Sequence, residues 1–285
     1  QDMWSRAKWH AGVTRPATKA ERESAAMDGA RHKEMKRIFG FSSFGDPKDI
    51  RIMAKLYPDA TWSGTCLLEG WKGIELPPDH PDYMQAKARF VVLGDRIFAI
   101  VDNRRTYYST GAFWAPATPL DGLRAVFAHA TVTGYPLEYI DITNAYVQVQ
   151  WEGPKHFLKL TPAAIACYPP AQQEEFARLG NNAVVEMLVG LYGHPKSGQQ
   201  FINRCISHQK AKGWFSLTIS PAVMRRDLTI TANYVDDLTA CGPRHQLDKH
   251  WKEVGNDWTC DPPERCEHIL GMVIRMTQTS LGEPI

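Results

Sequence analysis

Alternating apolar and polar positions form the clearest pattern in the C-terminal half of the chain. The run Leu228-Thr-Ile-Thr-Ala-Asn233 alternates as a strand with one buried face does, and Leu238-Thr-Ala-Cys-Gly242 is a second β-rich run. Between them lies Tyr234-Val-Asp-Asp237. We therefore predict a β-hairpin that turns at Val235-Asp236 and carries Asp236 at its tip.

Two adjacent carboxylates at a hairpin tip have two interpretations. Aspartate is a common residue of solvated turns, and a bare Asp-Asp pair is most often only that. The alternative is a metal site, because carboxylate oxygens are hard ligands suited to divalent cations. The order of the neighbouring segments is needed to decide between them.

Another acid ends a predicted strand upstream. In Leu137-Glu-Tyr-Ile-Asp-Ile142, the side chains of Leu137, Tyr139 and Asp141 share one face. An aspartate with apolar neighbours is unfavourable unless it is paired, solvated or metal-bound. If Asp141 and Asp236 share metal ions, we expect them to face each other across adjacent antiparallel strands.

Two cations lie on another predicted strand, Lys87-Ala-Arg-Phe-Val-Val-Leu-Gly94. Lys87 and Arg89 are two residues apart and so share a face. Paired cations would bind a triphosphate. Charged side chains also protect exposed sheet edges from pairing with another chain. From these residues alone, the interpretation as such an edge is favoured. A further apolar strand is predicted at 184–192, followed by a turn at Gly193.

Helical patterns occupy four stretches. The first is 21–39. The second begins at Thr118-Pro-Leu-Asp121, with Thr118 as the predicted N-cap. The third begins at Ser197, with Gln200 completing a capping box, and the fourth covers 243–254.

Composition sets broad limits. The chain has 285 residues, 44% of them hydrophobic, and a net charge of +2, which is too mild to indicate nucleic-acid binding by itself. Its six cysteines show no disulfide framework, and Cys260, Cys266 and His268 do not have the spacing of a zinc site. A reducing, intracellular compartment fits best, either a cytoplasmic particle or the nucleus. Neither a signal peptide, an initiator Met nor a membrane-spanning run is present, so we expect an internal piece of a longer protein.

Five short motifs, taken in order, resemble the reverse transcriptase of copia-type LTR retrotransposons. Each motif alone is a weak signal, but the shared order over about residues 20–285 is specific. The motifs are Lys87-Ala-Arg-Phe-Val-Val-Leu-Gly94, Asp141-Ile-Thr-Asn-Ala-Tyr146, Leu191-Tyr-Gly193, Tyr234-Val-Asp-Asp237 and Ile269-Leu-Gly-Met272.

The resemblance implies an α+β right-hand polymerase fold, with an antiparallel palm sheet packed on helices, and fingers. Residues 1–20 would be a linker or arm, 21–117 a fingers-like region, and 118–285 the palm with inserted fingers elements. A thumb and a ribonuclease H domain are not expected within this chain. They and an integrase would belong to the remainder of a Pol polyprotein.

The resemblance also implies roles for individual residues in RNA-directed DNA synthesis. Two Mg²⁺ ions, with Mn²⁺ as an alternative, would assist transfer of a dNTP to a primer 3′-hydroxyl on an RNA or DNA template. Tyr146 would be an aromatic gate against the ribose 2′-hydroxyl. The implied catalytic and metal-binding residues are Asp141, Asp236 and Asp237; the nucleotide-binding residues are Lys87, Arg89, Tyr146, Tyr192 and Gly193; the primer- and template-binding residues are Tyr234, Leu270 and Gly271.

Two alternatives stay open. The chain departs from the family at His194-Pro-Lys-Ser-Gly-Gln-Gln-Phe201 and lacks room for a thumb. Both features favour a non-catalytic nucleic-acid-binding relic of a reverse transcriptase, whereas the three intact acids oppose it. A metal-dependent nucleotidyl transferase outside this family would not explain the motif around Lys87 or Leu191-Tyr-Gly193.

Overall fold

The computed structural model describes residues 14–102, 104–108, 118–269 and 272–275. The helices are α1 Lys19–Arg22, α2 Ala25–Phe39, α3 Ile50–Leu56, α4 Leu120–Thr133, α5 Pro162–Ile165, α6 Pro170–Leu179, α7 Ser197–Ala211 and α8 Arg244–Asp257. The strands are β1 Thr14–Pro16, β2 Lys48–Asp49, β3 Thr61–Lys72, β4 Gln85–Val92, β5 Phe98–Val101, β6 Arg104–Tyr107, β7 Leu137–Asp141, β8 His156–Lys159, β9 Ala183–Glu186, β10 Phe215–Leu217, β11 Ser220–Arg226, β12 Thr229–Tyr234, β13 Asp237–Cys241, β14 Glu264–Arg265, β15 His268–Ile269 and β16 Met272–Val273. The fold is mixed α and β, as the predicted α+β class requires.

The chain forms two compact units. The first unit contains Gln1–Ala112 and Gln150–His194, and the second contains Phe113–Val149 and Pro195–Ile285. Neither unit is continuous in sequence. In the described part of the chain, each helix is too short or too polar to span a bilayer.

The first unit is built on the long strand β3. Its sheet has the order β2-β9-β8-β3-β5-β6, and β1 and β4 also pair with β3. The β3–β8 pair is parallel, while β4 runs antiparallel to β3 and brings Arg89 opposite Leu68. Trp62 stacks on Phe157 with ring centroids 4.7 Å apart, and this pair lies in a buried apolar cluster of the unit.

The second unit is an antiparallel sheet with the order β10-β11-β12-β13-β7-β14. Helix α4 supplies Leu123, Val126 and Ala130, at the spacing of one helical face, to the cluster on one side of the sheet. On the other side, α7 and α8 contribute Phe201 and Trp251 among others. Both faces are therefore packed along much of the sheet.

Two helix starts differ from the predictions. Thr118 does not cap α4, whose N-cap is Pro119 without a side-chain bond. Ser197 is the first residue of α7 rather than its N-cap, so the predicted capping box with Gln200 is wrong. In both cases the hydroxyl has the right residue type, but the chain enters the helix one residue later or earlier than the pattern indicated.

Other differences concern where helices and strands begin and end. The helix predicted at 21–39 is broken near Ser24, which caps α2. The strand predicted at 184–192 is shorter, since β9 ends at Glu186 and only isolated bridges continue at Met187 and Val189. In the expected arm at 1–20, the described part starts with β1 and enters α1.

Candidate active site

The predicted hairpin forms and turns at Val235–Asp236. Tyr234 pairs with Asp237, so two residues join β12 to β13. Val235 has a φ of 53°, a value that β-branched residues rarely adopt. Backbone strain of this kind persists only where the surroundings hold it, and it concentrates at functional sites.

Two acids face each other beside this turn. β7 and β13 are antiparallel neighbours, and Asp141 lies directly opposite Asp237. Directly opposed side chains share a face, with Cβ atoms roughly 5 Å apart. The strands are neighbours as expected, but the residue opposite Asp141 is Asp237 and not Asp236, because the two-residue turn takes up Asp236. The Asp236 carbonyl accepts a hydrogen bond from the Ile142 amide at 2.8 Å.

The electrostatics of the acids reflect their closeness. The pKa of Asp237 is raised to about 7, first by burial and then by the negative charges of Asp236 and Asp141. The same negative surroundings contribute, after burial, to raised pKa values of Tyr139 and Cys266. Like charges held this close favour a proton or a cation between them.

The donor chemistry suits a divalent cation, because aspartate oxygens are the ligands that Mg²⁺ prefers. Within 14–102, 104–108, 118–269 and 272–275, however, no three His, Cys, Asp or Glu side chains converge closely enough to form a ready metal site. The arrangement is therefore an opposed pair, Asp141 and Asp237, with Asp236 adjacent along the chain.

Tyr146 lies close to Asp141 in sequence and in the same unit. It belongs to a 3₁₀ turn, Ala145–Gln148, that follows Asn144 in the left-handed region at a φ of 56°. Its half-buried ring meets Phe201 edge-on at 6.1 Å and packs beside the α7–α8 core. This contact gives Tyr146 a packing role, and the gate stays a prediction.

Three of the nucleotide-site residues predicted outside this unit, Arg89, Tyr192 and Gly193, come together in the first unit. The Arg89 guanidinium lies over the Tyr192 ring, 4.4 Å from its centroid. The Val92 amide donates to the Tyr192 carbonyl at 2.8 Å. Gly193 has a φ of 86°, and a Cβ there would lie 2.2 Å from the Val92 carbonyl oxygen. Glycine is therefore required for this close approach to β4.

Lys87 lies on the same face of β4 as Arg89 and is exposed. Its pKa is lowered, first by desolvation and then by the charges of Arg89, Lys72 and Arg37. A cationic patch therefore forms, and the edge interpretation stays open for Lys87 because the described β4 ladder pairs only with β3.

The segment that departs from the family begins at a buried histidine. His194 is 6% exposed. Its ring lies 4.5 Å from Trp151 and 4.6 Å from His156, in edge-on contacts within the first unit. His194 thus contributes to packing, which gives the departure at this position a structural reason.

Of the remaining predicted site residues, the structure describes Tyr234 but not Leu270 and Gly271. Tyr234 closes the hairpin opposite Asp237 and packs beside the α4 side of the second unit. Leu270 and Gly271 lie outside the described residues. Sequence reasoning missed Gln209, which contacts Asn233 just before the hairpin turn; a glutamine on an amphipathic helix carries no signal for such a contact.

Comparison with protein-family models and with curated proteins finds no match to this chain.

Proposed function

We propose that this chain is an RNA-directed DNA polymerase fragment similar to copia-type reverse transcriptases, with a right-hand polymerase fold. The observation that carries the proposal is the pair Asp141 and Asp237, opposed across neighbouring strands beside a strained turn that bears Asp236. Residues 21–117 would be fingers-like and 118–285 the palm. The partners would be a primed RNA or DNA template and dNTPs, with integrase and ribonuclease H elsewhere in a Pol polyprotein.

Asp141, Asp236 and Asp237 would hold Mg²⁺. The bound ion would supply charge neutralisation at the triphosphate and a lower pKa for the primer hydroxyl. The acids themselves account for the choice of a cation, since the pKa of Asp237 near 7 means that its negative charge is poorly compensated. A divalent cation would displace the proton that Asp237 otherwise keeps near neutral pH.

The other residues would position the substrates. Arg89, oriented by the Tyr192 ring, would present its planar guanidinium to the triphosphate together with Lys87. Gly193 would keep Tyr192 in place against β4. Tyr146 would lie beside the sugar and exclude a 2′-hydroxyl, while Tyr234, Leu270 and Gly271 would contact primer and template.

A second candidate is a nucleic-acid-binding protein without catalysis. It is favoured by the acids forming an opposed pair rather than a converged group of three among the described residues. In that function the cationic patch around Arg89 would bind phosphates, and the acids would be dispensable.

Primer extension on an RNA template separates the two functions. We expect extension with Mg²⁺ and none with a chelator. Asp237→Asn should lower the rate by about 10³-fold, since metal-assisted charge stabilisation contributes several kcal/mol. The matched control is Asp227→Asn, because Asp227 is also a hairpin-turn residue of this sheet, at the β11–β12 connection with a φ of 53°.

Duplex binding measured by fluorescence anisotropy completes the test. A wild-type chain that binds an RNA–DNA duplex but extends no primer would support the binding function and contradict catalysis. Equal extension rates for Asp237→Asn and Asp227→Asn would also contradict the assigned role of the acids.

A further inference from the structure

Asn233 is a buried polar residue directly before the hairpin turn. Its side chain is fully buried, and Gln209 of α7 is 6% exposed. The two amides exchange hydrogen bonds: Asn233 Nδ2 donates to Gln209 Oε1 at 2.7 Å, and Gln209 Nε2 donates to Asn233 Oδ1 at 3.2 Å. A reciprocal amide pair fixes both the separation and the orientation of its partners, which apolar contact alone does not.

The backbone of Asn233 is held as well. The β11–β12 register ends at Val223 and Ala232, one residue before Asn233. There the buried hydroxyl of Thr118 donates to the Asn233 carbonyl. Thr118, which precedes α4, thus provides a hydrogen-bond donor for a carbonyl that lies beyond the end of the β11–β12 ladder.

The turn lies between two fixed points. On one side is Asn233, held by Gln209 and Thr118. On the other side, the Ile142 amide donates to the Asp236 carbonyl at 2.8 Å. Between them, Val235 has a φ of 53°, which is strained for a β-branched residue. Backbone strain at one residue persists when the surrounding structure fixes the residues beside it. The contacts of Asn233 and of the Asp236 carbonyl fix both sides of Val235.

We propose that Gln209, Asn233 and Thr118 are positioning residues that set the direction of Asp236 and Asp237 relative to Asp141. The inference rests on the proposed function, since it assigns these residues to the same reaction. They would act through the hairpin backbone and would not touch the substrate. Their removal should therefore lower kcat more than it changes KM for dNTP.

The main test is the double variant Asn233→Leu/Gln209→Met. Both replacements are close in shape to the originals, and removing both partners leaves no orphaned amide, so the variant should fold with a Tm close to wild type. We expect kcat for primer extension to fall about tenfold or more, with KM for dNTP changed by about twofold or less. Gln209→Met alone should also lower the Tm, because it leaves the Asn233 amide buried without Gln209.

Two further variants separate positioning from packing. The swap Asn233→Gln/Gln209→Asn keeps the combined length and both hydrogen bonds, and should recover most of the lost kcat. The matched control is Thr229→Val/Gln246→Met at the opposite end of β12, where the buried Thr229 hydroxyl donates to Gln246 Oε1 at 2.9 Å. This control should leave kcat unchanged.

Amide hydrogen exchange across Tyr234–Leu238 provides a readout that does not depend on catalysis. We expect about tenfold faster exchange there in Asn233→Leu/Gln209→Met than in the Thr229→Val/Gln246→Met control. If the wild-type chain extends no primer, the proposed function fails, and exchange alone decides the inference. Hairpin exchange equal in the two variants, or an unchanged kcat in an active enzyme, overturns it.

Discussion

Each unit contains a cluster of like charges, which is cationic in the first unit and acidic in the second. In the first unit, Arg89, Lys72 and Arg37 help to lower the pKa of Lys87. In the second unit, Asp236 and Asp141 help to raise the pKa of Asp237 to about 7. Desolvation is the largest cause in both. Lys87 and Asp237 are thus both shifted toward their neutral forms, and each lies in a cluster that is complementary to a ligand of opposite charge.

The two clusters differ in the property that should control ligand binding. The Arg89 guanidinium is planar and is oriented by the Tyr192 ring. Asp237 changes charge near neutral pH. Ligand binding by the cationic patch should therefore depend on geometry, whereas ligand binding by the acid pair should depend on pH. Three substitutions test this contrast.

The largest expected effect follows from Gly193→Ala, which breaks the geometry of the cationic patch. The new Cβ would lie 2.2 Å from the Val92 carbonyl oxygen, and the residue would keep a φ of 86°. We expect a loss of about 3 kcal/mol in the free energy of unfolding, or roughly 5 °C in Tm. Thermal and denaturant melting would measure it.

Gly153→Ala is the control for this substitution. Gly153 also has a positive φ, of 117°, but a Cβ added there would meet no heavy atom within 4 Å apart from those of its own chain neighbours. Only backbone strain remains there, about 1–2 kcal/mol. Equal losses for the two variants would show that the approach of residue 193 to β4 is not tight.

The second prediction concerns the pH dependence of stability at the acid pair. The pKa of Asp237 is about 7 in the folded chain and 3.8 ordinarily. Between these values the folded chain binds more protons than the unfolded chain, so stability falls as pH rises through this window. The penalty is absent below about pH 4 and complete above about pH 7. Asp237→Asn should remove it.

With a chelator present, the Tm of wild type relative to Asp237→Asn should fall by roughly 4 °C between pH 5 and pH 8. The acids Asp141 and Asp236 and the groups Tyr139 and Cys266 remain in the variant, so they are common to both proteins. Asp227→Asn should show the wild-type pH dependence. A pH-independent difference between wild type and Asp237→Asn would mean that Asp237 is ionised throughout.

Local patterns account for what was predictable. The alternation around Leu228 and the Asp-Asp pair give the hairpin, because a two-residue turn between strands is a local feature. The shared face of Lys87 and Arg89 follows from strand periodicity alone. The end of β7 at Asp141 is local as well. These features depend on a few consecutive residues.

The features that the sequence did not predict depend on long-range contacts. Nothing in the sequence near Asn233 indicates Gln209 as its partner, because their pairing depends on how α7 packs on the sheet. Thr118 has the sequence signal of an N-cap, yet its hydroxyl bonds to Asn233 instead. The parallel pairing of β3 with β8 likewise joins segments far apart in the chain. Local propensity is overridden wherever such tertiary contacts form.

The smallest expected effect is that of Arg89→Ala, which tests whether the cationic patch recognises a triphosphate or any phosphate. A charge-assisted contact to the triphosphate should be worth enough to raise KM for dNTP about tenfold when it is lost. Duplex affinity should change by about twofold or less, because one half-buried cation contributes little to it. Melting should show a small loss from the missing stack on Tyr192, about 0.5–1 kcal/mol.

Arg105→Ala is the control, since Arg105 is another cation of the first unit stacked on a ring, 4.7 Å from the centroid of Phe98. It should lose a similar stacking energy and leave KM unchanged. Arg89→Lys keeps the charge but loses the planar guanidinium, so it should lie between Arg89→Ala and wild type. If Arg89→Ala weakens dNTP use and duplex binding equally, the patch is a general phosphate surface. Phosphate binding by the patch would then depend on its positive charge and not on a fixed geometry.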